Sequence, residues 1–120
     1  MFLKNYWYCA ALPEEITKNP LRRIICNLPI VFYRDTNGNP VALEDRCSHR
    51  QAPLSSGTIR DDNIQCSYHG FVFNGDGKCV YIPHQKNIPQ RAHIISYPIK
   101  EKWGFVWIWN GDPKLSLIHI

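Results

Sequence analysis

Two short segments of this 120-residue chain each place a cysteine close to a histidine. Cys47 and His49 are separated by one residue, and Cys66 and His69 by two. In extended backbone, residues i and i+2 project to the same side, so Cys47 and His49 can address one site. Gly70 allows a turn that accommodates the longer spacing of the second pair. Each segment therefore offers one thiolate and one imidazole, which are ligands for transition metals.

Three interpretations of these four residues compete. They could be ordinary core or surface residues, but two such pairs, each at the end of an expected strand, argue against coincidence. A structural zinc site also accepts two cysteines and two histidines, although such sites usually begin with two cysteines separated by two to four residues. An iron–sulfur cluster in which two histidines replace two cysteines on one iron needs one cysteine and one histidine from each of two loops. The spacing favours this third interpretation.

The segments that must position these residues are typical of short antiparallel strands. Turn residues at 36–40, 74–77 and 103–104 separate runs of β-branched and aromatic side chains, which predicts three hairpins. The Asn37–Gly38 pair predicts a type I′ turn, and a further strand is expected over 23–27. No long segment shows a period of 3.6 residues. The predicted fold class is therefore all-β and antiparallel, a small sandwich or a stack of sheets.

Length and composition fit one globular domain. The chain is 44% hydrophobic and 20% charged, which excludes wholesale disorder, and its net charge of +4 is too weak to indicate nucleic acid. It contains neither an apolar run of membrane-spanning length nor a signal-peptide pattern. Five cysteines with no sign of export predict reduced thiols and a cytoplasmic location. Cys9, Cys26 and Cys79 lie outside both segments and are expected to be small buried hydrophobic residues.

The two segments also resemble the cluster-binding loops of Rieske [2Fe–2S] domains. Cys47–Leu54 is close to the pattern C-x-H-R-x-A-P-L, and Cys66–Phe73 to C-x-Y-H-G-[WF]-x-F, both typical of Rieske non-haem iron oxygenases. Asn5–Tyr8 and Trp103–Pro113 are similar to the same branch, within the vanillate O-demethylase and phthalate dioxygenase-like oxygenase subunits. The resemblance covers nearly the whole chain. It implies a Rieske-type iron–sulfur fold of small stacked sheets, with two cluster-binding loops at one end.

The same resemblance implies a ligand set. Cys47 and Cys66 would bind one iron of a [2Fe–2S] cluster as thiolates, and His49 and His69 would bind the other. High-potential Rieske proteins carry an extra cysteine in each loop, which this sequence lacks. That difference favours the low-potential branch of the family.

The resemblance further implies that residues 1–120 form a single Rieske domain, the N-terminal part of a longer oxygenase subunit. Such oxygenases activate O2 at a mononuclear non-haem iron bound by two histidines and a carboxylate. His84, His93 and His119 lack the D-x-x-H-x4-H-like spacing of those ligands. The mononuclear iron is therefore expected in a catalytic domain outside this chain.

The implied function is electron relay from a flavin/iron–sulfur reductase or a ferredoxin to that mononuclear iron. The acceptor would be a catalytic domain of the same or a neighbouring subunit, in a parent protein expected to be a homotrimer that hydroxylates or O-demethylates an aromatic compound. This chain alone would transfer electrons without oxygenating a substrate, and neither nucleic acid nor membrane is an expected partner. The alternative is a stand-alone Rieske-type ferredoxin, against which the Trp-rich residues 103–109 argue.

Overall fold

In a computed structural model, the described residues of the chain, 3–48 and 52–117, form ten β-strands and three short 3-10 helices. None of these residues lies in an α-helix, and none of the helices is long and apolar enough to cross a bilayer. Every strand pairing is antiparallel, which confirms the predicted fold class. The strands are β1 Tyr6–Ala11, β2 Leu21–Ile25, β3 Leu28–Arg34, β4 Pro40–Glu44, β5 Thr58–Arg60, β6 Asn63–Gln65, β7 Val72–Phe73, β8 Cys79–Tyr81, β9 Ile99–Lys102 and β10 Phe105–Asn110. The 3-10 helices are Pro13–Glu15, Leu54–Ser56 and Pro113–Leu117.

The strands are arranged in three sheets. The terminal sheet has the order β1-β10-β9, the middle sheet β2-β3-β4, and the four-stranded sheet β5-β6-β7-β8. Strand β3 is buried on both faces: Ile30 and Phe32 belong to one hydrophobic core, and Val31 and Tyr33 to another. Because alternate residues of a strand point to opposite faces, the middle sheet separates two cores. The first core includes side chains of the terminal sheet and the second includes side chains of the four-stranded sheet, so the predicted stack of small sheets is confirmed.

The three predicted hairpins are present as β3–β4, β7–β8 and β9–β10. The turn of the first differs from its prediction, because Gly38 takes a φ of +82° while Asn37 is not among the residues with positive φ. The N–H of Gly38 donates to the carbonyl of Asp35 at 3.0 Å, and Asp35 Oδ1 accepts the N–H groups of Asn37 and Asn39 at 2.9 Å each. The aspartate side chain thus stabilises a longer turn with one left-handed residue, and the type I′ prediction was wrong.

The strand expected over 23–27 is shifted. Strand β2 ends at Ile25, and Cys26 and Asn27 form the turn into β3 with φ values of +55° and +62°. Asparagine tolerates this conformation better than other residues with a β-carbon, so Asn27 carried a turn signal that the expected strand overlooked. Strands β1, β5 and β6 were not predicted.

Candidate metal centre

The first loop, residues 47–52, leaves the middle sheet at the end of β4. Cys47 is buried, and its N–H donates to the carbonyl of Ala52 at 2.8 Å, which brings the two ends of the loop together. Ser48 is exposed. His49 is a predicted ligand that lies outside the described residues, as do Arg50 and Gln51, so its predicted role stays a prediction.

A buried carboxylate next to this loop joins its two sides. Asp45 Oδ1 accepts the N–H of Ser55 and Asp45 Oδ2 accepts its hydroxyl, both at 2.7 Å. Arg22 donates to Asp45 Oδ2 at 2.7 Å, so the charge is paired as well as hydrogen-bonded. Buried charges are tolerated only when they are compensated in this way. Asp45 therefore fixes the chain before the first loop to the chain after it.

The second loop, residues 66–71, joins β6 to β7 and is closed by the same backbone bond. The N–H of Cys66 donates to the carbonyl of Phe71 at 2.8 Å, and the N–H of Gly70 donates to the carbonyl of Cys66 at 3.1 Å. Gly70 takes a φ of +77°, and a β-carbon there would lie 3.0 Å from Cγ of Pro83. The Gln65 side chain donates to the carbonyl of Gly70 at 3.3 Å. A glycine is required by both the conformation and the space, as the predicted turn at Gly70 anticipated.

The segments that carry the two loops approach each other closely. Thr58 pairs with Gln65 in the β5–β6 ladder, directly before Cys66. A β-carbon on the neighbouring Gly57 would lie 1.9 Å from the carbonyl oxygen of Gln65, a distance that only glycine permits. The chain that leaves the first loop is thus packed against the chain that enters the second.

This arrangement places both predicted cysteine ligands in one hydrophobic core. Cys47 and Cys66 are each 2% exposed and share a core cluster, against which the half-buried Ala52 and Phe71 pack. His69, in contrast, is exposed, and its ring centroid lies 5.7 Å from that of Tyr68. The site therefore has an interior side with two thiols and a surface side with an imidazole.

The separation of two buried thiols from an exposed imidazole fits a two-iron group. A structural zinc ion would draw its ligands into one tetrahedron. A [2Fe–2S] group with two histidine ligands takes two protein ligands on each iron, so thiols and imidazoles form separate pairs.

The remaining cysteines and histidines have other surroundings. Cys79 is buried as expected, and burial raises the pKa of its thiol, which favours the protonated form over a thiolate ligand. The expectation of burial was wrong for Cys9, which is exposed, and Cys26 is only half-buried. His84 and His93 are exposed. His119 lies outside the described residues.

Comparison with known families decides between the metals. A family model described as "Rieske [2Fe-2S] domain" matches residues 6–98, a range that contains both loops. The chain belongs to the Rieske [2Fe–2S] family. The cofactor of this Rieske domain is accordingly a [2Fe–2S] cluster rather than zinc.

The relatives of this Rieske domain are larger proteins. The vanillate O-demethylase oxygenase subunit of a Pseudomonas species is 47% identical over an alignment of 122 positions, which covers 99% of this chain and 34% of the relative. The oxygenase component of dicamba O-demethylase from Stenotrophomonas maltophilia is 45% identical over 116 residues, which cover 96% of this chain and 34% of the relative. A crystal structure of dicamba monooxygenase with non-heme iron and dicamba matches with a TM-score of 0.90 at 45% identity, over 95% of this chain and 35% of that one.

The Rieske domain described here thus spans about a third of the length of these relatives. They are oxygenase components or subunits, and the stand-alone ferredoxin alternative is not favoured.

Proposed function

We propose that this chain is the electron-transfer domain of a Rieske oxygenase component, with Cys47 and Cys66 as ligands of one iron and His49 and His69 as ligands of the other. The observation that carries the proposal is the pair of loops. Each is closed by a bond from a cysteine N–H to the carbonyl five residues later, and each places its cysteine in the same core. The first loop follows β4 of the middle sheet and the second joins β6 to β7, and the core that their cysteines share supports one common group.

The predicted site has a buried side and an exposed side. The burial of Cys47 and Cys66 excludes water from the thiolates, while the exposed His69 and Tyr68 lie where a partner protein can approach. When bound, the cluster supplies a one-electron redox centre whose potential depends on hydrogen bonds, charge and exposure. Asp45 and Ser55 hold the two sides of the first loop together, and the Gln65 side chain binds the carbonyl of Gly70 in the second.

The proposal extends to the parent protein. Residues 1–120 are a single Rieske domain in the N-terminal part of a longer oxygenase, which agrees with the third of each relative that the chain covers. The parent would receive electrons from a reductase or ferredoxin and pass them to a mononuclear iron in a catalytic domain, as a homotrimer in the cytoplasm. Relatives named for the O-demethylation of vanillate and dicamba support an oxygenation or O-demethylation of an aromatic compound.

Metal analysis tests the cluster. Purified under low oxygen, the chain should be coloured and should contain two irons and two acid-labile sulfides. One zinc and no labile sulfide would overturn the proposal.

A second measurement tests whether this chain only transfers electrons and leaves oxygenation to a separate catalytic domain. The loaded chain should take up one electron per cluster in a reductive titration, yet show no substrate-dependent oxygen consumption when vanillate or dicamba is added. Oxygenation by this chain alone would contradict a catalytic domain elsewhere.

A further inference from the structure

One stretch of the chain differs from the rest in its charge. Between Asp76 and Glu101 there is no acidic residue, whereas Lys78, Lys86, Arg91 and Lys100 fall in this interval. Four arginines outside this stretch form salt bridges with carboxylates: Arg22, Arg23, Arg34 and Arg46. The cations of the acid-free stretch take part in none of these ion pairs.

The fold places Lys78, Lys86 and Arg91 along a groove whose near part is lined by residues of both loops. The near part of this groove has a volume of about 340 Å³ and is lined by Ser48 of the first loop, Phe71 of the second loop, and Arg91. The far part has a volume of about 460 Å³, and its lining includes Lys78 and Lys86. Pro89 and Ala92 line both parts, so the two parts are adjacent.

The wall of the groove is held by backbone hydrogen bonds. Cys79 of β8 donates its N–H to the carbonyl of Ala92 at 3.0 Å, and Ile94 donates to the carbonyl of Gly77 at 2.8 Å. An isolated antiparallel bridge between Lys78 and His93 lies between these bonds. A charged surface that is already ordered loses little conformational entropy when a partner binds.

We infer that this groove is the docking site of an acidic electron-donor protein, an inference that rests on the proposed function. Two exposed side chains of β8 belong to the same stretch: Val80 lines the far part of the groove, and Tyr81 follows it in the strand. Protein–protein interfaces are rich in tyrosine and arginine, and a basic surface steers an acidic partner towards it. Ser48 of the first loop and Phe71 of the second line the near part of the groove, so a partner docked there contacts both loops.

The test compares two double variants with the same change in net charge. Lys86→Glu/Arg91→Glu reverses two cations of the groove. Lys18→Glu/Lys114→Glu reverses two exposed lysines that line neither part of it. The donor is a reduced plant-type [2Fe–2S] ferredoxin, an acidic protein, and stopped-flow absorbance follows the reduction of the loaded chain.

At low ionic strength the groove variant should be reduced at least about tenfold more slowly than the unmodified chain, because it loses electrostatic steering. Near 0.5 M salt, where the Debye length is only a few ångströms, the difference should disappear. Calorimetric titration with oxidised ferredoxin should show the same loss of binding in the groove variant. The Lys18/Lys114 variant should match the unmodified chain within about twofold in both assays.

Equal rates for all three proteins, or equal slowing of both variants, would overturn the docking site. Reduction by a neutral photoreduced deazaflavin provides the control for the redox centre, since it needs no docked protein. A chain that holds no cluster, or whose cluster deazaflavin does not reduce, would overturn the proposed function instead.

Discussion

The two loops of the metal centre have the same closure but different supports. In both, the cysteine N–H donates to the carbonyl five residues later at 2.8 Å. The first loop is fixed by side chains, because the buried Asp45 binds Ser55 on the far side of the loop and Arg22 of β2. The second is fixed by close backbone approach, because Gly70 lies against Pro83 and the side chain of Gln65.

Because of this difference, the two loops should tolerate different kinds of substitution. A support made of a paired charge fails when the buried carboxylate is removed, since the groups that donate to it lose their acceptor. A support made of close contact fails when an atom is added, since the packed surroundings have no room for it. The following predictions test these two modes, from the largest expected effect to the smallest.

Removal of a ligand should have the largest effect and should not depend on the type of support. Cys66→Ala is expected to abolish the cluster, and with it much of the stability that binding contributes. Cys79→Ala is the matched control, because Cys79 is equally buried in the same core. Iron and sulfide analysis should find a full complement in the control and none in the Cys66 variant. Loss from both would mean that the core rather than the ligand was tested.

Asp45→Ala should break the support of the first loop. It leaves Arg22 and both donors of Ser55 without their acceptor, and the expected loss in the free energy of unfolding is about 3 kcal/mol. Glu15→Ala, which removes the exposed partner of Arg23, should cost far less. Urea unfolding of the metal-free chains measures both. Similar losses would show that the buried carboxylate has no special role.

Gly70→Ala should break the support of the second loop. Gly38 is a close control, since its φ of +82° matches the +77° of Gly70 but a β-carbon there would meet nothing within 4 Å. Gly38→Ala should cost about 1 kcal/mol for the left-handed conformation alone. Gly70→Ala should cost about 2 kcal/mol, because its β-carbon also presses on Pro83. Equal losses of stability in urea unfolding would show that the left-handed conformation alone accounts for the cost at Gly70.

The smallest effect concerns a contact between the sheets that carry the loops. Asp62 Oδ1, at the β5–β6 turn, accepts the N–H and the hydroxyl of Thr36 at 2.7 Å each, and these bonds lower the pKa of the carboxyl. The charged form is favoured in the folded state, so its contribution is present at neutral pH and is lost as pH falls below the ordinary range of a carboxyl pKa. Asp62→Asn should therefore make the acid side of the stability–pH profile shallower. An unchanged profile would show that the contact between Asp62 and Thr36 contributes nothing to stability.

Local chemistry accounts for what the sequence could predict. The hairpins were legible because Gly38, Gly77 and Gly104 lie in turns between β-rich runs, and each does take a positive φ. The cysteines were identified by spacing that few other sites share. Asp45 was missed because its partners are 10 and 23 residues away, and no local pattern shows which carboxylate will be buried.

The sheet topology could not be predicted for the same reason: it depends on residues that are far apart in the sequence. The buried run Ile30–Tyr33 of β3 indicates a strand covered on both faces, but not which sheets cover it. The pairing of β1 with β10 depends on residues at opposite ends of the chain, and neither strand specifies the other. Turn-type errors, as at Asn37, arise because a side-chain acceptor such as Asp35 can select another turn.

The pairing in the terminal sheet affects how the protein folds during its synthesis. Tyr6 pairs with Asn110, and Asn5 Oδ1 accepts the N–H of Asp112 at 2.8 Å, so the first of the ten described strands is paired only after the tenth has been synthesised. At ribosomal rates of 5–20 residues per second, β1 waits roughly 5 to 20 seconds for its partner. The middle and four-stranded sheets are translated within that interval and can form first. The terminal sheet then closes last, when emergence of β10 from the ribosome converts an unpaired strand into an edge of the finished domain.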